Sequence, residues 1–152
     1  MSALNALLHT TFATTRGSIS LQAMLAEKNL TIFLSYPGDF TSVCTKQMCS
    51  YADHAVWERL AQLPCTFWGI SRDDIASHKK FAEKTHVPFA LISDPRAALL
   101  DALGLHGLLG TRRGLTGVSR NATIVGTFTM LPFFYPTAKD IEHQTREWLG
   151  RL

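Results

Sequence analysis

One stretch limits the possible folds more than any other: a strand that breaks at Pro37-Gly38, with a helix starting a few residues later. Leu30-Thr31-Ile32-Phe33-Leu34-Ser35-Tyr36 is apolar, partly β-branched and of strand length. Beyond the break the periodicity changes. Met48, Tyr51, Ala52, Ala55, Val56 and Leu60 recur at three- and four-residue steps, an apolar face suited to packing on a sheet. This predicts a helix ending near Gln62-Leu63-Pro64, with Thr41 and Ser42 as natural N-caps. Cys44 then lies in the first turn, just past the carboxyl end of a strand.

That placement has chemical consequences. Unpaired N–H groups and the positive dipole end of a helix favour a thiolate over a thiol, and the thiolate is the nucleophile. The plainer reading of Cys44 is a small buried apolar residue. A second cysteine, Cys49, follows five residues later. Along a helix this separation is a rise of about 7.5 Å and a rotation of about 140°. The two α-carbons then exceed the ~7 Å reach of a disulfide, and the side chains point apart. Bonding of Cys44 to Cys49 therefore requires the first turns to unwind.

The residues Pro37-x-x-x-Thr41-x-x-Cys44 resemble the Pro-x-x-x-Thr/Ser-x-x-Cys signature of the peroxiredoxins. The Cys-x4-Cys spacing is similar to that of the PrxQ, or bacterioferritin-comigratory protein, subfamily. The resemblance extends from about Phe12 to the C-terminus and is strongest from Leu30 to Leu103. It implies a thiol-dependent peroxidase without haem, flavin or metal, acting on hydrogen peroxide and organic hydroperoxides. Cys44 would be the peroxidatic cysteine and Cys49 the resolving one, joined in an intramolecular disulfide during turnover. Thr41 would supply a hydroxyl to the peroxide beside the Val43 and Cys44 amides, and Pro37 would shape and shield the loop. Arg120 matches the arginine that the family places on a late strand facing the cysteine. Arg112 and Arg113 read as solvated loop residues, and Arg72, just past a strand end, is the reserve. Cys65, in an apolar run, reads as structural. The resemblance further implies thioredoxin as reductant, with glutaredoxin or glutathione as alternatives, and a monomer.

The chain departs from the pattern in three places. Of the usual Gly-x-x-Ala-Pro-x-Phe opening, Leu8-His9-Thr10-Thr11-Phe12 keeps only the phenylalanine. Ala52-Asp53 stands where an Arg-Asp pair is common, and Ile124-Val125-Gly126 where a strand usually ends in Asp.

Composition bounds the rest. The 152 residues are 46% hydrophobic and 18% charged, which excludes a disordered chain and suits one domain over residues 1–152. A net charge of +3, with no basic run longer than Arg112-Arg113, implies no nucleic-acid surface. Three cysteines, an odd number in a chain that needs no staples, fit a reducing compartment. Neither a signal peptide nor an apolar run of about 18 residues is evident, so the expected location is cytoplasmic and off the membrane.

Around the central stretch, Thr10–Thr15 and Ser18–Leu21 read as short strands, and Ser20 as the cap of a short helix. Cys65–Ser71 is a second buried strand, followed by a helix capped by Asp73 or Asp74 that carries Ile75, His78, Phe81 and Ala82. Phe89–Ser93 is a strand and Arg96–Leu103 a helix stopped by Gly104. The glycine-rich segment Leu105–Gly117 reads as a loop, without a phosphate-binding pattern. Val118–Val125 and Thr127–Phe134 read as a hairpin about Gly126. Thr137-Ala138-Lys139-Asp140 forms a capping box opening the last helix, whose buried face is Ile141, Thr145, Trp148 and Leu149. Strand–helix–strand units require a parallel core, and the later hairpin makes the sheet mixed. The expectation is a thioredoxin-like α/β fold, a mixed central β-sheet flanked by helices on both faces.

Three rival functions remain open at this point. Zinc binding through Cys44, Cys49, His54 and Cys65 is one, although five-residue steps scatter the first three around a helix. A dithiol oxidoreductase acting on protein disulfides is another, although the close Cys-x-x-Cys pair is lacking. A non-enzymatic redox sensor is the third.

Overall fold

The Leu30–Tyr36 run lies in the middle of the sheet because both of its faces are apolar. The computed structural model describes residues 2–131 and 133–152. In chain order its elements are α1 (Ala3–Ala6), β1 (Thr11–Thr14), β2 (Gly17–Ser20), α2 (Leu21–Ala26), β3 (Leu30–Ser35), α3 (Ser42–Tyr51), α4 (His54–Ala61) and β4 (Thr66–Ser71). They continue as α5 (Ile75–Thr85), β5 (Ala90–Ser93), α6 (Ala98–Ala102), β6 (His106–Gly107), β7 (Gly110–Thr111), β8 (Gly114–Ser119), β9 (Ile124–Thr129) and α7 (Ala138–Leu149).

Seven strands form one sheet in the order β2-β1-β5-β4-β3-β8-β9. β3 pairs in parallel with β4 and antiparallel with β8, in the register Leu30↔Ser119 through Ser35↔Gly114. Alternate residues of β3 serve two cores. Leu30, Ile32 and Leu34 pack with Met48, Tyr51, Leu60, Phe81, Ile141 and Trp148 on one face. Phe33 joins Trp68, Ile70 and Ile92 under Leu21, Met24, Leu25, Leu99 and Leu100 on the other. The mixed sheet with helices on both faces is thus the expected thioredoxin-like arrangement. No helix among the described residues is long and apolar enough to cross a membrane.

Local signals hold where they are strong. Thr41, Asp74 and Thr137 each cap their helix through the side chain, and Thr137 and Asp140 form the reciprocal capping box. The structure corrects three readings. The helix expected from Thr41 to Leu63 is two, because Ala52 closes α3 and the Asp53 carboxylate caps α4 by accepting from the Val56 N–H at 3.1 Å. The glycine-rich segment is not all loop: it contains the small β6–β7 hairpin and the first residues of β8.

The late hairpin also turns elsewhere, at Arg120–Thr123, with Gly126 inside β9 opposite Gly117. Gly126 is there for packing. A Cβ at Gly126 would run into Trp148 Nε1, and one at Gly117 would lie 2.6 Å from Trp148 Cε3. The indole of α7 lies across the two glycines, so the residue read as a turn former is a floor for Trp148. Pro132, within the second expected strand of that hairpin, lies outside the described residues.

Candidate active site

The site forms where β3 gives way to α3. Pro37 is exposed, Gly38 and Asp39 are half-buried, and Phe40 takes a left-handed backbone (φ 64°) immediately before the cap. Such a conformation is uncommon for an aromatic residue and costs on the order of 1–3 kcal/mol. Phe40 packs edge-on against Phe81 at 5.3 Å between ring centroids, with Lys84 Nζ 5.6 Å above its ring. Thr41 Oγ1 accepts from the Cys44 N–H at 3.2 Å and donates to the Gly38 carbonyl at 3.3 Å. The Ser42 and Val43 N–H groups, in the first two helical positions, have no intrahelical partner.

Cys44 is the third residue of α3 and is fully buried, among Tyr36, Met48, Tyr51 and Phe81 in the same apolar cluster. Cys49 is exposed near the other end of α3, and all three cysteines are free thiols. The intact helix keeps Cys44 and Cys49 apart as the spacing requires. Cys65 is buried at the entrance to β4, and burial pushes its thiol up to about 12. β4 runs parallel to β3, so Cys65 sits at the sheet end opposite Cys44.

The arginine is the main correction. The Arg120 N–H bonds to the carbonyl of Asn29, before β3 begins, and its side chain is exposed. Cys44 lies beyond the far end of β3, so six strand residues, roughly 20 Å, separate the two ends. Arg113, read from sequence as a solvated loop residue, is instead the buried arginine at the Cys44 end of the sheet. It precedes Gly114, the β8 partner of Ser35, and is 8% exposed. Its guanidinium Nη1 donates to Gln47 Oε1 at 2.9 Å. Gln47 is fully buried and one helical turn from Cys44, on the same face of α3.

Gln47 Nε2 donates to the Tyr51 hydroxyl at 3.2 Å, and that hydroxyl donates to the Pro136 carbonyl at 2.6 Å. Burial, the largest influence, holds the Tyr51 hydroxyl protonated well above its ordinary range. The Arg113 guanidinium is therefore held by a chain of buried hydrogen bonds. Arg72 and Arg112 are exposed; Arg72 Nε and Nη2 donate to the Pro95 carbonyl, each at 3.2 Å.

The four side chains considered for zinc do not converge. Among the described residues the one set with ligand atoms mutually within 4.8 Å is Asp39, Asp73 and His78, all engaged in hydrogen bonds with protein groups.

A thiol at a helix head with a buried arginine on the same face matches what comparison with known proteins returns. The model of the AhpC/TSA family matches residues 6–127. The chain belongs to the AhpC/TSA family. A putative peroxiredoxin bcp of Coxiella burnetii is 28% identical over 137 residues, 88% of this chain and 86% of that protein. The chloroplastic peroxiredoxin Q of Triticum aestivum is 48% identical over 59 residues, which are 39% of this chain but only 26% of that protein. The Xanthomonas campestris bacterioferritin comigratory protein, whose structure is described in terms of alkyl peroxide reduction, superposes with TM-score 0.77 at 19% identity. That match covers 97% of this chain and 94% of the other.

The chain is thus a peroxiredoxin in family and fold, and its activity class is that of a thiol-dependent peroxidase. Two of the departures from the family pattern have local reasons in this peroxiredoxin: Ala52-Asp53 makes the junction between α3 and α4, and Gly126 underlies Trp148.

Proposed function

We propose that the chain reduces hydrogen peroxide and organic hydroperoxides at Cys44. The observation that carries this reading is the buried thiol in the first turn of α3, with Arg113 fixed one turn along the same face through Gln47. The Cys44 thiolate attacks the terminal peroxide oxygen, the O–O bond breaks, and the leaving oxygen takes a proton to become water or an alcohol. Cys44 is left as a sulfenic acid. Arg113 and the free amides at the head of α3 hold the two oxygens in line with sulfur and stabilise charge on the leaving oxygen. Thr41 caps the helix and presents its hydroxyl at the same point; Pro37 shields the loop.

Cys49 then attacks the sulfenic sulfur, giving the Cys44–Cys49 disulfide and water once the first turns of α3 unwind. Its exposure at the helix surface supports this role and gives a reductant access. A dithiol protein such as thioredoxin is the proposed reductant, with glutaredoxin or glutathione as alternatives. The working unit is proposed to be a monomeric single domain in the cytoplasm, a compartment that suits three free thiols. Stopped-flow tryptophan emission of the reduced protein mixed with hydrogen peroxide tests the assignment. A rapid stoichiometric change that disappears in Cys44→Ser is expected; persistence of peroxide consumption in that variant rejects it.

A further inference from the structure

The loop that carries the head of α3 is held from the far side by a polar cluster that the reaction above does not use. Asp39 belongs to the loop, Tyr36 follows β3, Asp73 lies between β4 and α5, and Ser77 and His78 are in the first turn of α5. The side chains of His78 and Asp39 are 0% and 1% exposed. Tyr36 donates to Asp39 Oδ1 at 2.8 Å and Ser77 donates to Oδ2 at 2.7 Å. His78 Nδ1 lies 2.8 Å from the same Oδ2.

His78 Nε2 is 2.9 Å from the Ile92 carbonyl, which only accepts, so Nε2 carries a hydrogen. The Nδ1–Oδ2 contact then needs one further proton, whichever partner holds it. The backbone is tied as well: the Asp39 N–H donates to Asp73 Oδ2 at 2.9 Å, and Ser71 donates to that oxygen at 2.6 Å. Asp39 is thereby fastened through its backbone to the β4–α5 connection and through its side chain to α5, two residues before the Thr41 cap. Between them stands the left-handed Phe40.

On the peroxidase reading, we infer that His78 and Asp39 are positioning residues that set how readily the head of α3 unwinds, and so the fate of oxidised Cys44. Two reactions compete for the Cys44 sulfenic acid. Condensation with the Cys49 thiol gives the disulfide and water, and needs an unwound helix. Reaction with a second hydroperoxide gives a sulfinic acid and water or an alcohol, and proceeds with the helix intact. A firm anchor at Asp39 favours the second reaction; a loosened one favours the first.

The test is rapid-quench mass spectrometry of the full chain over graded hydrogen peroxide, reading the ratio of disulfide to sulfinic product. His78→Gln can keep a nitrogen near the Ile92 carbonyl while removing the one beside Asp39; His78→Asn does the reverse. His78→Gln is expected to raise the ratio about tenfold, the weight of one hydrogen bond to a charged group. His78→Asn is expected to restore it to within about twofold of wild type, a rescue that a general loss of packing would not produce. Ser77→Ala, at a half-buried position, is expected to raise it roughly threefold. An unchanged ratio in Ser77→Ala together with folded His78→Gln, or in Ser77→Ala alone should His78→Gln not fold, overturns the inference. So does a folded His78→Asn that behaves like His78→Gln. A wild type that forms no sulfenic acid overturns the peroxidase reading and this inference together, whereas a normal wild type with unresponsive variants overturns the inference alone.

Discussion

Each end of the β3–β4–β8 core carries a cysteine and an arginine, and the two ends differ in almost everything else. At the carboxyl end of β3, Cys44 sits at a helix head, and Arg113 is buried and bonded to Gln47. At the opposite end, Cys65 enters β4 from an apolar cluster, and Arg120 is exposed on the β8–β9 turn. That second end also has a cavity of about 550 Å³ whose lining includes Ser119, Arg120 and Arg151. Concavity and positive charge are therefore found at the end away from the proposed reaction. A hydroperoxide presents two reacting oxygens, so a site for it needs fixed donors around a thiolate more than it needs volume.

The largest effect that can break this comparison is removal of the near thiol. Cys44→Ser is expected to lower peroxide consumption by several orders of magnitude, to background, as loss of a nucleophile does. Cys65→Ser is expected to leave it within about twofold if the protein remains folded. The arginines give the sharper contrast. Arg113→Met is expected to slow sulfenic acid formation by roughly 10²–10³, the cost of losing one fixed donor to developing charge. Arg120→Met is expected to change it less than about twofold, since a solvated side chain some 20 Å away contributes little. Stopped-flow rates for the two variants decide between the ends, and the opposite ranking would return the role to Arg120. Next in size, Cys49→Ser is expected to keep the first turnover at the wild-type rate but to cut thioredoxin-supported steady-state turnover at least tenfold. Mass spectrometry should then find sulfenic acid in place of the disulfide.

The near end was largely legible from sequence because its signals are local. A strand-length apolar run, a Pro-Gly break, a Thr cap and a cysteine three residues on all fall within about fifteen residues. The arginine was not legible, because its identity depends on where β8 starts, and strand register is set by long-range pairing. Reading Gly126 as the turn shifted the hairpin toward the C-terminus and placed Arg120 inside a strand. The signal that could have corrected it is Ser119-Arg120-Asn121, a better turn than Gly126. No local pattern could show that Gly117 and Gly126 lie beneath Trp148, or that Asp39 meets His78 across 39 residues of chain. The first contacts exist only once α7 lies across β8 and β9, and the second only once α5 has been placed beside the β3–α3 loop.

The far end can be probed through stability. Gly126→Ala places a methyl group against the Trp148 indole and is expected to cost about 1–3 kcal/mol, seen as a lower urea midpoint with peroxide reactivity kept. Little change would mean that Trp148 moves aside and that the glycine pair is not required.

Cys65 gives the smallest effect on stability and the most specific one. Its thiol stays protonated to about 12 in the folded chain, against an ordinary value of 9.0. At pH 8 it should therefore react with iodoacetamide roughly a thousandfold more slowly than an ordinary thiol, while exposed Cys49 is labelled readily. The same shift makes a signed prediction for stability. Between about 9 and 12 the unfolded chain has released a proton that the folded chain still holds, so stability falls as pH rises, by about 1.4 kcal/mol per unit from this one group. Below about 9 the contribution is constant. Cys65→Ala carries a fixed packing cost at every pH but lacks this slope. Urea denaturation of both proteins at pH 8 and pH 10 should show the gap between them narrowing by on the order of 1 kcal/mol at the higher pH. A pH-independent gap would mean that Cys65 ionises as freely in the fold as outside it, and the contrast between the two ends would then rest on the arginines alone.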